Sequence, residues 1–368
     1  MGGLGLIGTI VAACGGGATT TTAAGATTAT AAGATTTAAG ATTTAAGATT
    51  TAAASSMSNL SSLVLGINNP NYATQLPIYI AQAKGWLDEV GITGFEPITT
   101  DEYLPGLIGG SIDITQGDTD VIFGTAEASG EAVIYLGTYR DHEWRILGAR
   151  AGIATFEDLR GGTITGGQTG SRNEFLMREI VAANGLDPDT DVTFVPMGGS
   201  SDARLQALLA GQVDAANIFP RHKATLLDAG GILLAEDFAS APQEGVAAMG
   251  DWLADNADAA VAYLTANIKA RQYMQDIEGT KDEIIQIMID AGFDVPPEFI
   301  DLYDVEVQQV SPDGGFDVGE MEDLVIQMTD LGLLPEGILW RDHVDMTYMW
   351  AAQEANGLPK RPDPADLA

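Results

Sequence analysis

The chain has 368 residues, 45% of them hydrophobic, with 50 acidic against 16 basic side chains and a net charge of −34. That charge argues against nucleic acid and against unaided binding to anionic lipid, since both need cationic surface. A single cysteine excludes an intrachain disulfide, so a core large enough for two domains must supply the stability.

The first predicted element is a short apolar run ending in Val11-Ala12-Ala13-Cys14. It resembles the lipobox of a bacterial lipoprotein, in which a signal peptide is cut before a cysteine that carries lipid. Residues 1–14 are therefore read as signal peptide and lipobox, with Cys14 as the lipidated residue. Met1 to Ala13 departs from the pattern, because it holds no Lys or Arg. Residues 15–58 follow as a linker dominated by Gly-Ala-Thr repeats. The seven-to-eight-residue period carries no Leu, Ile or Val, so a coiled-coil seam has nothing to bury. As a flexible tether of about forty residues it would reach roughly 35 Å.

Beyond the linker the sequence repeats itself at about one hundred residues. Gly110-Ser111-Ile112-Asp113-Ile114 is echoed by Gly211-Gln212-Val213-Asp214-Ala215, 101 positions later. Phe95-Glu96-Pro97 returns as Phe194-Val195-Pro196, and Leu65-Gly66-Ile67 as Ile164-Thr165-Gly166, both 99 positions later. Three matches in one order at nearly one offset predict two halves with the same β-α-β-α-β order. Leu76, Ile80, Ala83, Leu87 and Val90 fall on one face of a predicted helix. Its counterpart runs from about Arg172 to Ala183, with Leu176, Ile180 and Ala183 inward and Asn184-Gly185 as C-cap.

After about Asp237 the pattern becomes mostly helical. Leu253, Ala257, Val261, Leu264 and Ile268 mark a long amphipathic helix, with shorter ones near 281–291, 321–331 and 344–356. Alternating strands and helices imply parallel sheets covered by helices. The predicted fold class is α/β, with lobe 1 formed by residues 59–149 and 237–368 and lobe 2 by residues 150–236. The C-terminal helices should pack on lobe 1.

In open parallel sheets ligands bind beyond the carboxyl ends of strands, where helix N-termini converge. The sharpest such place is Gly166-Gly167-Gln168-Thr169-Gly170-Ser171, followed by Arg172 and closed by the capping box Ser171-x-x-Glu174. Glycines there would let backbone N–H groups face a ligand, and Arg172 is one of the few cations in the chain. The matching loop of lobe 1 offers Asn69, Asn71 and Tyr72. Gln116 and Asp118 follow the first Gly-x-x-Asp mark; Asn217, Phe219 and Arg221 follow the second. These four loops are expected to face one another across a cleft, with Gly167, Gln168, Thr169, Ser171 and Arg172 among the ligand contacts.

Catalytic readings are poor. His142, His222 and His343 are scattered without ligand spacing, so no metal site is expected, and no cofactor is implied. No Gly-Lys-Ser/Thr follows the glycine-rich loop and no Gly-x-Ser-x-Gly elbow is present, which removes nucleotidase and hydrolase readings.

Pro77-Ile78-Tyr79-Ile80-Ala81-Gln82-Ala83-Lys84-Gly85-Trp86-Leu87 resembles a segment of the nitrate-, sulfonate- and taurine-type substrate-binding proteins of ABC transporters, whose superfamily includes thiamine-precursor binders. Phe156-Glu157-Asp158-Leu159-Arg160-Gly161, the two Gly-x-x-Asp marks and the glycine-rich loop are similar to the same pattern, over about residues 62–236. The resemblance implies a two-lobed type II periplasmic-binding-protein fold with hinge crossovers near 147–151 and 236–243. It implies a carrier, not an enzyme, that docks on an ABC permease and its ATPase, and the chain is read as monomeric and extracytoplasmic; Arg172 with its helix N-terminus favours a small anion as the ligand. A neutral heterocycle, a receptor without transport, or an enzyme on the same fold remain the alternatives; the pyrimidine synthases related to this superfamily carry a cysteine-rich motif that this chain lacks.

Overall fold

The computed structural model describes residues 62–67, 72–198, 200–293, 295 and 297–367. Cys14, the linker, Asn69 and Asn71 lie outside the described residues, as does the side chain of Tyr72.

Two halves with one element order make up the sheet. The first runs β1 (Leu63–Ile67), α1 (Tyr72–Ala83), α2 (Trp86–Glu89), β2 (Phe95–Thr99), α3 (Tyr103–Ile108), β3 (Ile114–Asp118), α4 (Thr119–Ser129) and β4 (Val133–Ala149). The second runs β5 (Thr163–Thr165), α5 (Arg172–Ala183), β6 (Thr193–Phe194), α6 (Ser201–Leu209), β7 (Ala215–Ile218), α7 (Lys223–Asp228) and β8 (Ile232–Met249). The helices α8 (Gly250–Met274), α9 (Ile277–Asp290), α10 (Pro297–Val307), α11 (Val318–Asp330) and α12 (Thr347–Ala355) follow.

All eight strands join one sheet in the order β2-β1-β3-β8-β4-β7-β5-β6. Within each half three strands are parallel, β2-β1-β3 and β6-β5-β7. The joins are antiparallel: β8 lies against β3, β4 against β7, and the long strands β4 and β8 against each other. The sheet is therefore mixed, because the two strands that cross between the halves return in opposite directions.

The Gly-x-x-Asp echo has a structural cause. Asp113 accepts the Val64 backbone N–H at 2.7 Å, and Asp214 accepts the Thr163 backbone N–H at 2.8 Å. Each carboxylate ties the start of the third parallel strand of its half to the first.

Buried apolar side chains divide in the same sense. One cluster joins β1–β3 and α1–α4 to α8–α12, so the C-terminal helices complete the core of the first half. Two smaller clusters, around Ile164, Leu176 and Val181 and around Leu205, Leu208 and Ile218, lie on opposite faces of the second half. We call these bodies lobe 1 and lobe 2.

Three local expectations are corrected. The periodic run from Leu76 to Val90 is two helices, because Gly85 takes φ +71° and breaks the path between α1 and α2. In α5 the buried side is Leu176, Met177 and Val181, whereas Ala183 is exposed. Ala257 is also exposed, because α8 kinks at Asn256 and turns Ala260 and Leu264 inward instead.

Candidate functional site

The described lobes touch. Gln327 of α11 donates to Glu179 of α5 at 3.2 Å, and α10 packs on the turn at Pro220–His222. Between them, Asp118 at the end of β3 pairs with Glu244 of β8, and Arg172 at the head of α5 reaches Glu143 of β4.

The glycine-rich loop is closed on itself more than expected. Ser171 caps α5 by accepting the Glu174 N–H at 3.3 Å, and Gly170 N–H is taken by Glu174 Oε2 at 2.8 Å. Gly166 is required by packing, since a Cβ there would lie 2.4 Å from Glu174 Cα. Gly167, buried at φ +120°, turns the chain away from the strand, leaving Gln168 and Thr169 exposed. The loop's main contribution is thus to place Arg172 at the first position of α5.

Arg172 is not the free cation that its isolation in the sequence suggests. Its Nη2 donates to Glu143 of β4 at 3.1 Å, while Nε and Nη1 are buried with no hydrogen-bond partner among the described residues. Glu143 also accepts two bonds from Arg145, at 3.0 and 2.8 Å. Burial pushes the Glu143 carboxyl up, but the two guanidiniums outweigh it and hold the group below the usual carboxylate range.

Lobe 1 brings acids to the same place. Asp118 ends β3 and Asp120 lies in the first turn of α4; both feel the charge of Arg172. Burial, then Glu244 and Asp120, push the Asp118 carboxyl up to about 7. Burial raises Asp120 as well, against the pull of Arg172. Glu244 of β8 lies directly opposite Asp118 in the ladder and receives Arg140 Nη1 at 2.8 Å through Oε1. Gln116 is fully buried: its Nε2 donates to the Tyr263 hydroxyl at 3.2 Å, and its Oε1 has no partner among the described residues.

A second polar group occupies the end of β7. The Asn217 side chain does not face an empty cleft, because its Oδ1 and backbone O accept Arg204 Nη2 and Nε, each at 3.1 Å. Arg221, which is exposed, donates to Ser201 Oγ at 2.5 Å and lies near the Phe219 ring. Burial and then Arg221 lower the Arg204 pKa, with Asp202 pulling the other way.

The structure thus brings Asp118 into the field of Arg172 and ties Gln116 to Tyr263 instead, while Phe219 and Arg221 stand together beside Asn217 at the end of β7. Sequence reading missed Arg140, Glu143, Glu244 and Arg204. The first two had a usable signal: Arg140-Asp141-His142-Glu143-Trp144-Arg145 is a charged run inside a strand that is apolar at both ends.

A family model described as NMT1/THI5 like matches residues 71–277, more than half of the chain. The chain belongs to the NMT1/THI5-like family. Within it, the sulfonate-binding resemblance has structural counterparts. The alkanesulfonate-binding protein SsuA from Xanthomonas axonopodis pv. citri, bound to MOPS, is 19% identical; the match covers 78% of this chain and 99% of that one, with TM-score 0.57. The periplasmic nitrate-binding protein NrtA from Synechocystis PCC 6803 is 14% identical over 83% of this chain and 92% of its own, with TM-score 0.58. The desulfurization enzyme DSZB is similar too, at 13% identity, 80% and 99% coverage and TM-score 0.57. These likenesses establish the two-lobed type II periplasmic-binding fold, with a helical C-terminal region. Most such neighbours of this NMT1/THI5-like chain are binding proteins, and DSZB shows that the same fold also houses an enzyme. No curated protein sequence matches the chain.

Proposed function

We propose that the protein is an extracytoplasmic solute-binding protein that captures a small anion between its lobes and delivers it to an ABC importer. The carrying observation is Arg172, which projects from a helix start in lobe 2 toward acids of lobe 1, with two buried donors unanswered among the described residues. An unpaired buried donor costs about 1–3 kcal/mol, so a sulfonate, carboxylate or nitrate oxygen at those atoms would be strongly favoured. Contacts at both lobes would make the ligand favour closure. The same reading takes residues 59–149 with 237–368 and residues 150–236 as the moving bodies, and Gln116, Asp118, Gly167, Arg172 and Arg221 as site residues. It also takes Cys14 as a lipid anchor, the Gly/Ala/Thr tract as a tether, and the permease and ATPase as partners.

The test is thermal unfolding of the full chain with propane-1-sulfonate and with nitrate. A ligand at a hundredfold excess over Kd stabilises by about 2.7 kcal/mol. Arg172→Ala should abolish the gain; an unchanged gain overturns the anion reading. Failure to turn over any stabilising ligand separates a carrier from an enzyme on this fold.

A further inference from the structure

His222 closes the short turn that follows β7, and both of its ring nitrogens are committed. Nδ1 accepts the backbone N–H of Phe219 at 3.2 Å, so the ring proton stands on Nε2, which donates to Asp202 Oδ1 at 2.9 Å. The residue is 3% exposed, and its backbone N–H returns to the Phe219 carbonyl at 2.9 Å. This arrangement works with a neutral imidazole alone. A protonated ring carries an N–H at Nδ1 as well, and would set it against the N–H of Phe219.

The charges around the ring are unequal. Arg221 stands beside it in the same turn, and Arg204 approaches from α6; both oppose a proton on the ring, and Asp202 of α6 favours one. Asp202 Oδ1 lies 3.8 Å from Arg221 Nε, so one oxygen serves the ring and a guanidinium together. Lys223 of α7 is paired with Glu236 at 2.6 Å, and Glu306 of α10 acts on Arg221. Burial, then Arg221, hold the His222 ring below the ordinary histidine range against the pull of Asp202.

The turn that the ring secures has two duties. It sets Arg221, which reaches Ser201 on one side and lies 5.4 Å from the Phe219 ring on the other. It also carries α10 of lobe 1, which packs on Pro220–His222.

We propose that His222 is a positioning residue for Arg221 and a latch between the lobes that a proton opens. On protonation Nδ1 gives up the Phe219 N–H, the ring draws Asp202 away from Arg221, and the turn loosens where α10 rests on it. The latch needs no solute, so its failure and that of the carrier reading are separate.

The test is an NMR titration of the full chain from pH 7.5 to pH 4.5, with 15N in histidine, phenylalanine and arginine. The chain holds three histidines, and His222→Asn identifies the ring among them. At pH 7.5 the ring should be the Nε2–H tautomer. On acidification three changes should share one midpoint below the ordinary histidine range: the ring titrates, the Phe219 amide loses about tenfold or more of its protection from exchange, and the Arg221 Nε–H shifts. Exchange in α10 should rise with them. Asn at this position still offers an oxygen to the Phe219 N–H but does not titrate, so His222→Asn should keep the protection at pH 7.5 and lose its pH response. The wild-type titration decides even where the variant fails to fold. An Nδ1–H tautomer at pH 7.5, a ring still neutral at pH 4.5, or a titration that leaves Phe219, Arg221 or α10 unmoved overturns the proposal. So does a Phe219 response that persists in His222→Asn.

Discussion

Glu143 of the long strand β4 and Arg172 at the head of α5 form an ion pair of 3.1 Å between the crossing strands and lobe 2. The pair holds Arg172 in place, and it also competes with any anion that approaches.

Glu143→Gln should therefore have two effects of opposite sense. Breaking a buried pair costs about 3–5 kcal/mol, toward the lower end here because Arg172 keeps some solvent contact. Denaturant unfolding of the ligand-free protein should show that loss. Titration with propane-1-sulfonate should show tighter binding than in the wild type, since the competing carboxylate is gone. Weaker binding would mean that Glu143 serves mainly to aim the guanidinium.

Asp118 sets a pH dependence of stability. Its folded value of about 7 lies above the ordinary carboxylate range, so the native state holds a proton that the unfolded chain has released between those values. Stability from this group falls as pH rises toward 7, by at most about 1.4 kcal/mol per pH unit. Comparing urea midpoints at pH 5 and pH 7 for wild type and Asp118→Asn isolates it: the variant should lose less stability over that interval.

Asp214 has the opposite sign. Burial raises it, but the Thr163 N–H and Arg150 outweigh burial and lower its pKa, so its contribution is present at neutral pH and fades as pH drops through the acidic range. Asp214→Ala should cost about 1–3 kcal/mol at pH 7, for a charged acceptor lost from backbone and side-chain donors. Asp113→Ala loses the Val64 bond and should cost less, because Asp214 also holds Arg150 and the Thr163 hydroxyl.

How much of this was legible follows from what the signals report. The echo at Asp113 and Asp214 was readable because a carboxylate that pins two strands must stand at one place in each half. The cap of α5 was readable because Ser171 and Glu174 act within one helical turn. Helix α10 is absent from the predicted helices, although it opens on Pro297, and proline is well suited to a first helical position. The meeting of Arg172 with Glu143 and Asp118 was not readable, because these acids come from strands β4 and β3 and approach it only in the fold. Spacing along one chain carries no record of that meeting.

Arg204 is the other residue the fold alone reveals. Arg204→Met should destabilise the protein by about 1–3 kcal/mol, because the carbonyl and side-chain oxygens of Asn217 would lose their donors in a buried place. Thermal unfolding without ligand checks this, and an unchanged midpoint would show that removing the buried charge offsets the lost bonds.

The two long strands β4 and β8 lie side by side through both lobes, and their register slips beside Arg140, where no position of β4 pairs with Ala241, Pro242 or Gln243. Arg140 and Glu244 stand at the edge of that gap, and Glu143 lies just beyond it. If the lobes turn about these crossing strands, as the carrier reading requires, pivot and receptor are built from the same few side chains. A solute that settled on them would then need no lever to announce its arrival, because it would grip the axle itself.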